Sequence, residues 1–255
     1  MFTLYNAPQS TCSQRVRFVL NAKRLAFTEV KLDLLAGDQL KPDYLKLNPG
    51  GVVPTLDHDG KIVIDSAVIG EYLDEVAPEG ESFTPPTPFG RARMRALVHF
   101  IDEVPAAAIR VPTFNLAFLP RFAAMSEQDF VAFAESKPLR KEFMFAMGRK
   151  GFSDAEMKSA LDRLARTLTR MDDEIGKSGG PWLLGAQATL ADICVMPTIV
   201  RMADLGLDPM WRDKPHIAAW LAAIRAHPAF APTYYFGSLL TEKFPHVKER
   251  AAAWA

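Results

Sequence analysis

Ser10-Thr11-Cys12-Ser13 places three hydroxyls and a thiol in four consecutive residues, at the point where a short apolar run passes into a helical pattern. The first turn of a helix exposes unpaired N–H groups and the positive end of the dipole, so a thiol or hydroxyl there can hold or become an anion. Two readings are open from this stretch alone. The residues form a reactive site, or Ser10 or Ser13 caps the helix while Cys12 packs.

Two further pairs have the right chemistry for a site. Val53-Pro54 opens a β-like segment, and a proline there requires an edge or a special turn, for which a cis bond is one solution. The backbone groups of Val53 are then available to a peptide-like ligand, although an ordinary edge proline fits as well. Asp65-Ser66 precedes a helical pattern; Ser66 can cap it and bind a carboxylate, while Asp65 can receive an ammonium group, a combination suited to an α-amino acid. The plain alternative is a cap. Thr189-Leu190-Ala191-Asp192 is a T-x-x-D capping box and reads as structural, with Pro197 expected to kink the helix that follows and Cys194 between them a small buried hydrophobe.

The elements that must position these residues follow from periodicity. Phe2 to Tyr5 reads as a strand, Ser13 to Arg24 as a helix with Val16, Val19, Leu20 and Lys23 on one stripe, and Phe27 to Leu32 as a second strand, giving a βαβ unit. Val52 to Leu56 and Lys61 to Ile64 flank Asp57-His58-Asp59-Gly60, a hairpin signal. Ser66 to Val76 is the next helix. Pro78, Pro85, Pro86, Pro88 and Gly80 then mark a linker, so residues 1–77 read as a small α/β domain, 78–88 as the linker and 89–255 as an all-α domain. Within the latter, Leu161, Leu164, Leu168, Met171 and Ile175 keep 3, 4, 3, 4 spacing behind a Ser153-x-x-Glu156 capping box. Ser126 with Asp129 starts another helix, and Ile217, Trp220, Leu221 and Ile224 form a stripe that stops at His227-Pro228.

Composition narrows the function. The 255 residues carry 30 Lys+Arg against 30 Asp+Glu, so nothing in the overall charge favours nucleic acid or an anionic membrane. No apolar run reaches the roughly 18 residues of a membrane span, and the start has no leader-like pattern, which makes the cytoplasm the expected location. Cys12 and Cys194 are the only cysteines, without C-x-x-C or zinc-ligand spacing; neither a disulfide framework nor a metal site is expected.

In this order, the pieces resemble the cytosolic glutathione transferase superfamily: a thioredoxin-like domain, a short Pro-rich linker and an all-α domain. The matching residues are Leu4-Tyr5 with Ser10 to Ser13, Leu47-Asn48-Pro49 leading to Val53-Pro54-Thr55-Leu56, Asp65-Ser66, Tyr72-Leu73, Thr189 to Asp192 and the Pro215 to Pro228 segment. The Ser10-x-Cys12-Ser13 pattern is similar to bacterial dehalogenases of chlorinated hydroquinones such as tetrachlorohydroquinone. The segment Phe114 to Met157, with Met125-Ser126-Glu127 and Gly151-Phe152, is similar to bacterial β-etherases.

The resemblance implies glutathione as co-substrate, its cysteine backbone paired to Val53 before a cis Pro54, its γ-glutamyl carboxylate on Ser66 and its ammonium near Asp65. Its sulfur falls at Ser10, Cys12 and Ser13, and Asp102 reaches the ammonium across a homodimer interface. Gly50, Gly51 and Val52 stand where family members often carry Lys, Arg or Gln, so Gln39 or Lys41 is the implied partner of the glycyl carboxylate. A small hydrophobic electrophile then sits between the domains against Pro112, Phe114, Phe118 and Pro120, residues that an ordinary aromatic core explains equally well. The implied activity is attack of glutathione thiolate on an aromatic substrate, by conjugation, aryl ether cleavage or dehalogenation, as in detoxification or aromatic catabolism. Two alternatives stand beside it: a thiol-disulfide or dehydroascorbate-type reductase using Cys12, and a non-catalytic interaction protein on the same fold.

Overall fold

The computed structural model describes residues 1–248; the Ala-rich end and the last part of the 236–255 tail lie outside them. The chain opens with β1 (Phe2–Asn6), α1 (Thr11–Ala22) and β2 (Phe27–Lys31), followed by the short α2 (Pro42–Leu47), then β3 (Thr55–His58), β4 (Lys61–Ile64) and α3 (Ser66–Val76). The four strands form one sheet in the order β2-β1-β3-β4, parallel between β1 and β2 and antiparallel elsewhere. The βαβ unit and the hairpin are thus as expected. β3 runs further than its apolar residues suggest, through Asp57 and His58, and the turn contracts to Asp59-Gly60. Their φ angles of 51° and 83° are those that a two-residue hairpin turn requires.

After the proline-rich stretch the described residues are helical: α4 (Pro88–Glu103), α5 (Pro105–Ala108), α6 (Arg110–Thr113), α7 (Leu119–Ala123), α8 (Glu127–Glu135), α9 (Lys141–Met147), α10 (Asp154–Ser178), α11 (Leu190–Asp204), α12 (Pro215–Ala226), α13 (Phe230–Thr233) and α14 (Leu240–Lys243). The 25-residue α10 carries the Ser153/Glu156 capping box, and Ser126 caps α8. Helix α11 continues past Pro197 to Asp204.

One core joins the two halves. Leu4, Val16, Leu20 and Ile69 from the sheet and its helices pack with Ile101, Leu164, Ile193 and Trp220 from the helical part. This continuity fixes α1 against α11 and therefore fixes the start of α1 relative to the helical layer. A second cluster is almost purely aromatic and Met-rich: Phe122, Phe130, Met144 and Met147 are buried, with Phe114, Phe118, Phe133, Phe143 and Phe152 packed around them. Phe114, Phe118, Phe122, Phe133 and Phe143 of this cluster also border the cleft described below.

Candidate active site

A cleft of about 510 Å³ lies between the sheet domain and the helices. Its sheet-side wall includes Ser10, Thr11, Cys12, Gln39 and Val53; the opposite wall includes Phe114, Phe118 and Phe143.

Helix α1 begins two residues earlier than its apolar stripe implies, because Ser10 is the N-cap. Its Oγ accepts the Ser13 N–H at 3.2 Å and its carbonyl accepts the Gln14 N–H at 2.9 Å. The N–H groups of Thr11 and Cys12 find no partner among the described residues, as first-turn groups do when only one is capped. Cys12 is a free, half-buried thiol at this edge. Ser13, by contrast, is fully buried, and its hydroxyl accepts the Ala7 N–H at 3.3 Å. Helical rotation of 100° per residue turns Ser13 inward when Thr11 and Cys12 face the cleft, so Ser13 does not line the cleft and Thr11, absent from the expected set, does.

The Val53–Pro54 bond is cis, and β3 starts only after it, at Thr55. The turn before it is held from α2: Tyr44 donates to the Val52 carbonyl at 2.6 Å and Asn48 Nδ2 to the same carbonyl at 3.0 Å. Val53 is buried, yet neither its N–H nor its carbonyl is bonded within the described residues. Buried backbone groups are rarely left so. Gln39 also lines the cleft, with its Oε1 buried and unpartnered and its Nε2 only 3.4 Å from the Leu34 carbonyl. Lys41 is exposed, paired with Asp38 at 2.7 Å, and is not part of the wall.

Asp65, not Ser66, caps α3. Its Oδ1 accepts the Ala67 and Val68 N–H groups at 2.9 and 3.2 Å, and its φ of 71° is a conformation that a non-glycine residue adopts only under local constraint. That frees the Ser66 hydroxyl, which accepts from Arg15 Nη1 at 3.2 Å. Arg15 was not anticipated. Buried on α1, it also donates to the Cys194 carbonyl at 2.8 Å and to Asp102 Oδ1 at 2.5 Å. Asp102 is therefore tied to its own chain's Arg15, and Ser66, Asp102 and α11 are drawn together around one guanidinium. Arg15 follows Cys12 by three positions, so the same helix reaches the cleft with one and this polar cluster with the other.

On the far wall, Phe114 meets Phe118 and Phe143 edge-on, with ring centroids 5.0 and 4.9 Å apart. The choice between core and pocket dissolves for these rings: they belong to the aromatic cluster and face the cleft. Pro112 is buried inside α6, and neither it nor Pro120 lines the space. Cys194 is buried, and loss of solvent pushes its thiol up to about 12.

The N-terminal glutathione S-transferase domain model matches residues 4–82, and the C-terminal domain model matches residues 129–223. The chain is 31% identical to the protein LigF of Sphingobium sp. (strain NBRC 103272 / SYK-6) over 235 residues, 89% of this chain and 90% of LigF. It belongs to the glutathione S-transferase family.

As a glutathione transferase it is an enzyme that uses glutathione as co-substrate. The crystal structure of the β-etherase LigF superposes with a TM-score of 0.81 at 27% identity, covering 91% of this chain and 98% of that one. A 2,5-dichlorohydroquinone reductive dechlorinase of Sphingobium indicum is 26% identical over 280 residues, 89% of this chain and 80% of the dechlorinase. Both branches indicated by the sequence patterns are thus among its relatives. Among the described residues no helix is long and apolar enough to cross a membrane, and no group of three or more His, Cys, Asp or Glu residues is arranged to hold a metal ion.

Proposed function

We propose that this transferase displaces an aryloxide or halide from an aromatic electrophile with glutathione thiolate held at the start of α1. The observation that carries the reading is the pair of unpartnered N–H groups at Thr11 and Cys12, beside the Ser10 and Thr11 hydroxyls and across the cleft from Phe114 and Phe118. A thiol of cysteine type ionises near pH 8.5; N–H and O–H donors with the helix dipole lower that value, and two units correspond to about 2.7 kcal/mol. The sulfur–carbon bond forms as the carbon–oxygen or carbon–halogen bond breaks, the leaving group departs with the bonding pair, and the thiol proton goes to solvent. Displacement of aryloxide and displacement of halide share this step and differ in the group that leaves; replacing the halogen by hydrogen takes a second thiol, which removes the bound sulfur as a disulfide.

The remaining assignments follow the same ligand along the wall. Val53 pairs with the cysteinyl backbone, Ser66 takes the γ-glutamyl carboxylate, and the outer oxygen of Asp65 takes the ammonium. Gln39 serves the glycyl end, where its Oε1 stands open; Lys41 is too engaged with Asp38 to be preferred. In this reading residues 1–77 bind glutathione, 78–88 link, and 89–255 supply the electrophile site. A homodimer, with Asp102 offered across the interface, is supported by exposed Ile62, Ile64, Val68 and Phe89, and is tested by light scattering on the purified chain. A reaction that consumes reduced glutathione suits the cytoplasm.

The deciding experiment is Cys12→Ser with glutathione and 1-chloro-2,4-dinitrobenzene. We expect conjugation to stay within about threefold of the parent, because the N–H groups remain. Complete loss would overturn this reading and assign a mixed-disulfide route to Cys12.

A further inference from the structure

The far wall is aromatic, but the cleft is also strongly cationic. Arg110, Lys137 and Arg140 line it, and none of the three side chains has a hydrogen bond or ion pair to an acidic or carbonyl oxygen among the described residues. The Lys137 residue is 6% exposed, its Nζ is buried without a partner, and it lies 4.1 Å from the centroid of the Phe133 ring. The other charged lining residues are mostly engaged. Arg201 donates to the Gln9 carbonyl at 2.6 Å and Lys31 sits 3.5 Å from Glu29. Asp38 is occupied by Lys41 and the Asp33 N–H, and Asp33 by the N–H groups of Leu35 and Ala36.

The approach of these cations to the sheet domain depends on two glycines. A Cβ on Gly50 would lie 2.7 Å from Leu139 Cδ1, and one on Gly51 would lie 3.2 Å from Pro138 Cδ. The absence of side chains at 50 and 51 lets the 136–140 turn close down on the sheet side, and that turn carries Lys137 and Arg140. Arg110 comes from α6, near enough to Cys12 and Arg140 for their charges to be felt; burial and the neighbouring Arg140 lower its pKa to about 10. Burial and the charge of Arg121 likewise lower Lys137 to about 8. Cations crowded into an apolar cleft without counter-charges are costly, and an anion between them removes the cost.

We propose that Arg110, Lys137 and Arg140 form a carboxylate subsite, and that the electrophile this transferase prefers is an aromatic acid rather than a neutral arene. The inference rests on the proposed glutathione chemistry and names the substrate class of the same cleft. The rings of Phe114, Phe118 and Phe143 take the arene, and the three cations take its carboxylate. Glutathione carries carboxylates of its own, so the test must separate the two sources.

A matched pair does so: 4-chloro-3,5-dinitrobenzoate and its methyl ester, each reacting with glutathione as thiolate replaces chloride and the thiol proton goes to buffer. With kcat/KM corrected for the uncatalysed rates, the full chain should favour the acid by about tenfold, and Arg110→Met and Arg140→Met should each lower the acid-to-ester ratio by about tenfold, as loss of a charge-assisted contact does. Lys137→Met should lower it less. A parent ratio of one or below, or a ratio unchanged in all three variants, overturns the proposal. Calorimetric binding of the two S-aryl glutathione conjugates repeats the comparison without turnover, and equal affinities overturn it there.

Binding of glutathione alone distinguishes the remaining outcomes. Variants that weaken glutathione itself while leaving the acid-to-ester ratio intact assign the cations to glutathione's own carboxylate, against the proposal. Loss of all glutathione and conjugate binding by the parent chain defeats the glutathione reading as well.

Discussion

The start of α1 and the start of α11 use the same vocabulary: a hydroxyl residue at the cap, a polar residue three positions on, and a cysteine within the first turn or so. At α11 the polar side chains are answered inside the core, and the Leu190 N–H is taken by the Phe83 carbonyl at 2.9 Å. Asp192 is fully buried and accepts from the Thr189 N–H at 2.9 Å, the Thr189 hydroxyl at 3.0 Å, the Leu183 N–H at 3.0 Å and Trp220 Nε1 at 2.9 Å. Burial raises the pKa of its carboxyl, while four donors favour its charged form. At α1 the cap satisfies Ser13 alone, and two N–H groups are left facing a cleft. A helix start buried around its own polar network holds the fold together, whereas one whose open donors face a cleft can hold a ligand's anion.

The largest separation between the two starts should appear in their cysteines. In the native protein Cys12 should react with a thiol reagent at pH 8, whereas Cys194, buried and with its thiol pushed up to about 12, should react only through unfolding. For a domain of ordinary stability that is a rate ratio of about 10⁴ or more. Stopped-flow labelling of the parent and of Cys12→Ser measures it. Two thiols reacting at similar rates would erase the distinction between the starts.

Next in size is Asp192→Ala. It strands the Leu183 and Thr189 N–H groups and the Trp220 indole in the core, and should lower unfolding stability by about 3–5 kcal/mol in a denaturant titration. A loss under about 1 kcal/mol would show that the α11 network is dispensable and that the contrast with α1 is not one of stability against function.

How far the two starts can be read from sequence differs for the same physical reason. Local patterns carried the caps at Ser126 and Ser153, the span of α3 and the Thr189/Asp192 box, because each depends on neighbours within four residues. They also located the Ser10 to Ser13 stretch. They did not say which of its members faces outward, since that depends on how α1 rolls against α3 and α11; Ser13 went inside and Thr11 stayed at the cleft. Arg15 gave no local signal at all. Its partners Ser66, Asp102 and the Cys194 carbonyl come from three distant segments. The cations at 110, 137 and 140 were hidden likewise by a neutral total charge, because a balanced sum says nothing about where a fold gathers one sign.

The finest test of the contrast is at Ser10, which belongs to both kinds of start at once: its Oγ caps Ser13, and its hydroxyl lines the cleft. Ser10→Ala should cost about 1 kcal/mol of stability, the usual worth of an N-cap. It should also raise the thiol pKa of bound glutathione, by less than about one unit, since the N–H groups of Thr11 and Cys12 persist. The two effects are separable. Ser10→Gly restores most of the capping stability, because glycine is a tolerated N-cap, but it has no hydroxyl to offer the sulfur. Titration of the thiolate absorbance in the glutathione complex should therefore group glycine with alanine, while thermal unfolding should group glycine with serine. If both measurements group the variants alike, Ser10 acts only as a cap, and the N–H groups that face the cleft are left to distinguish α1 from α11.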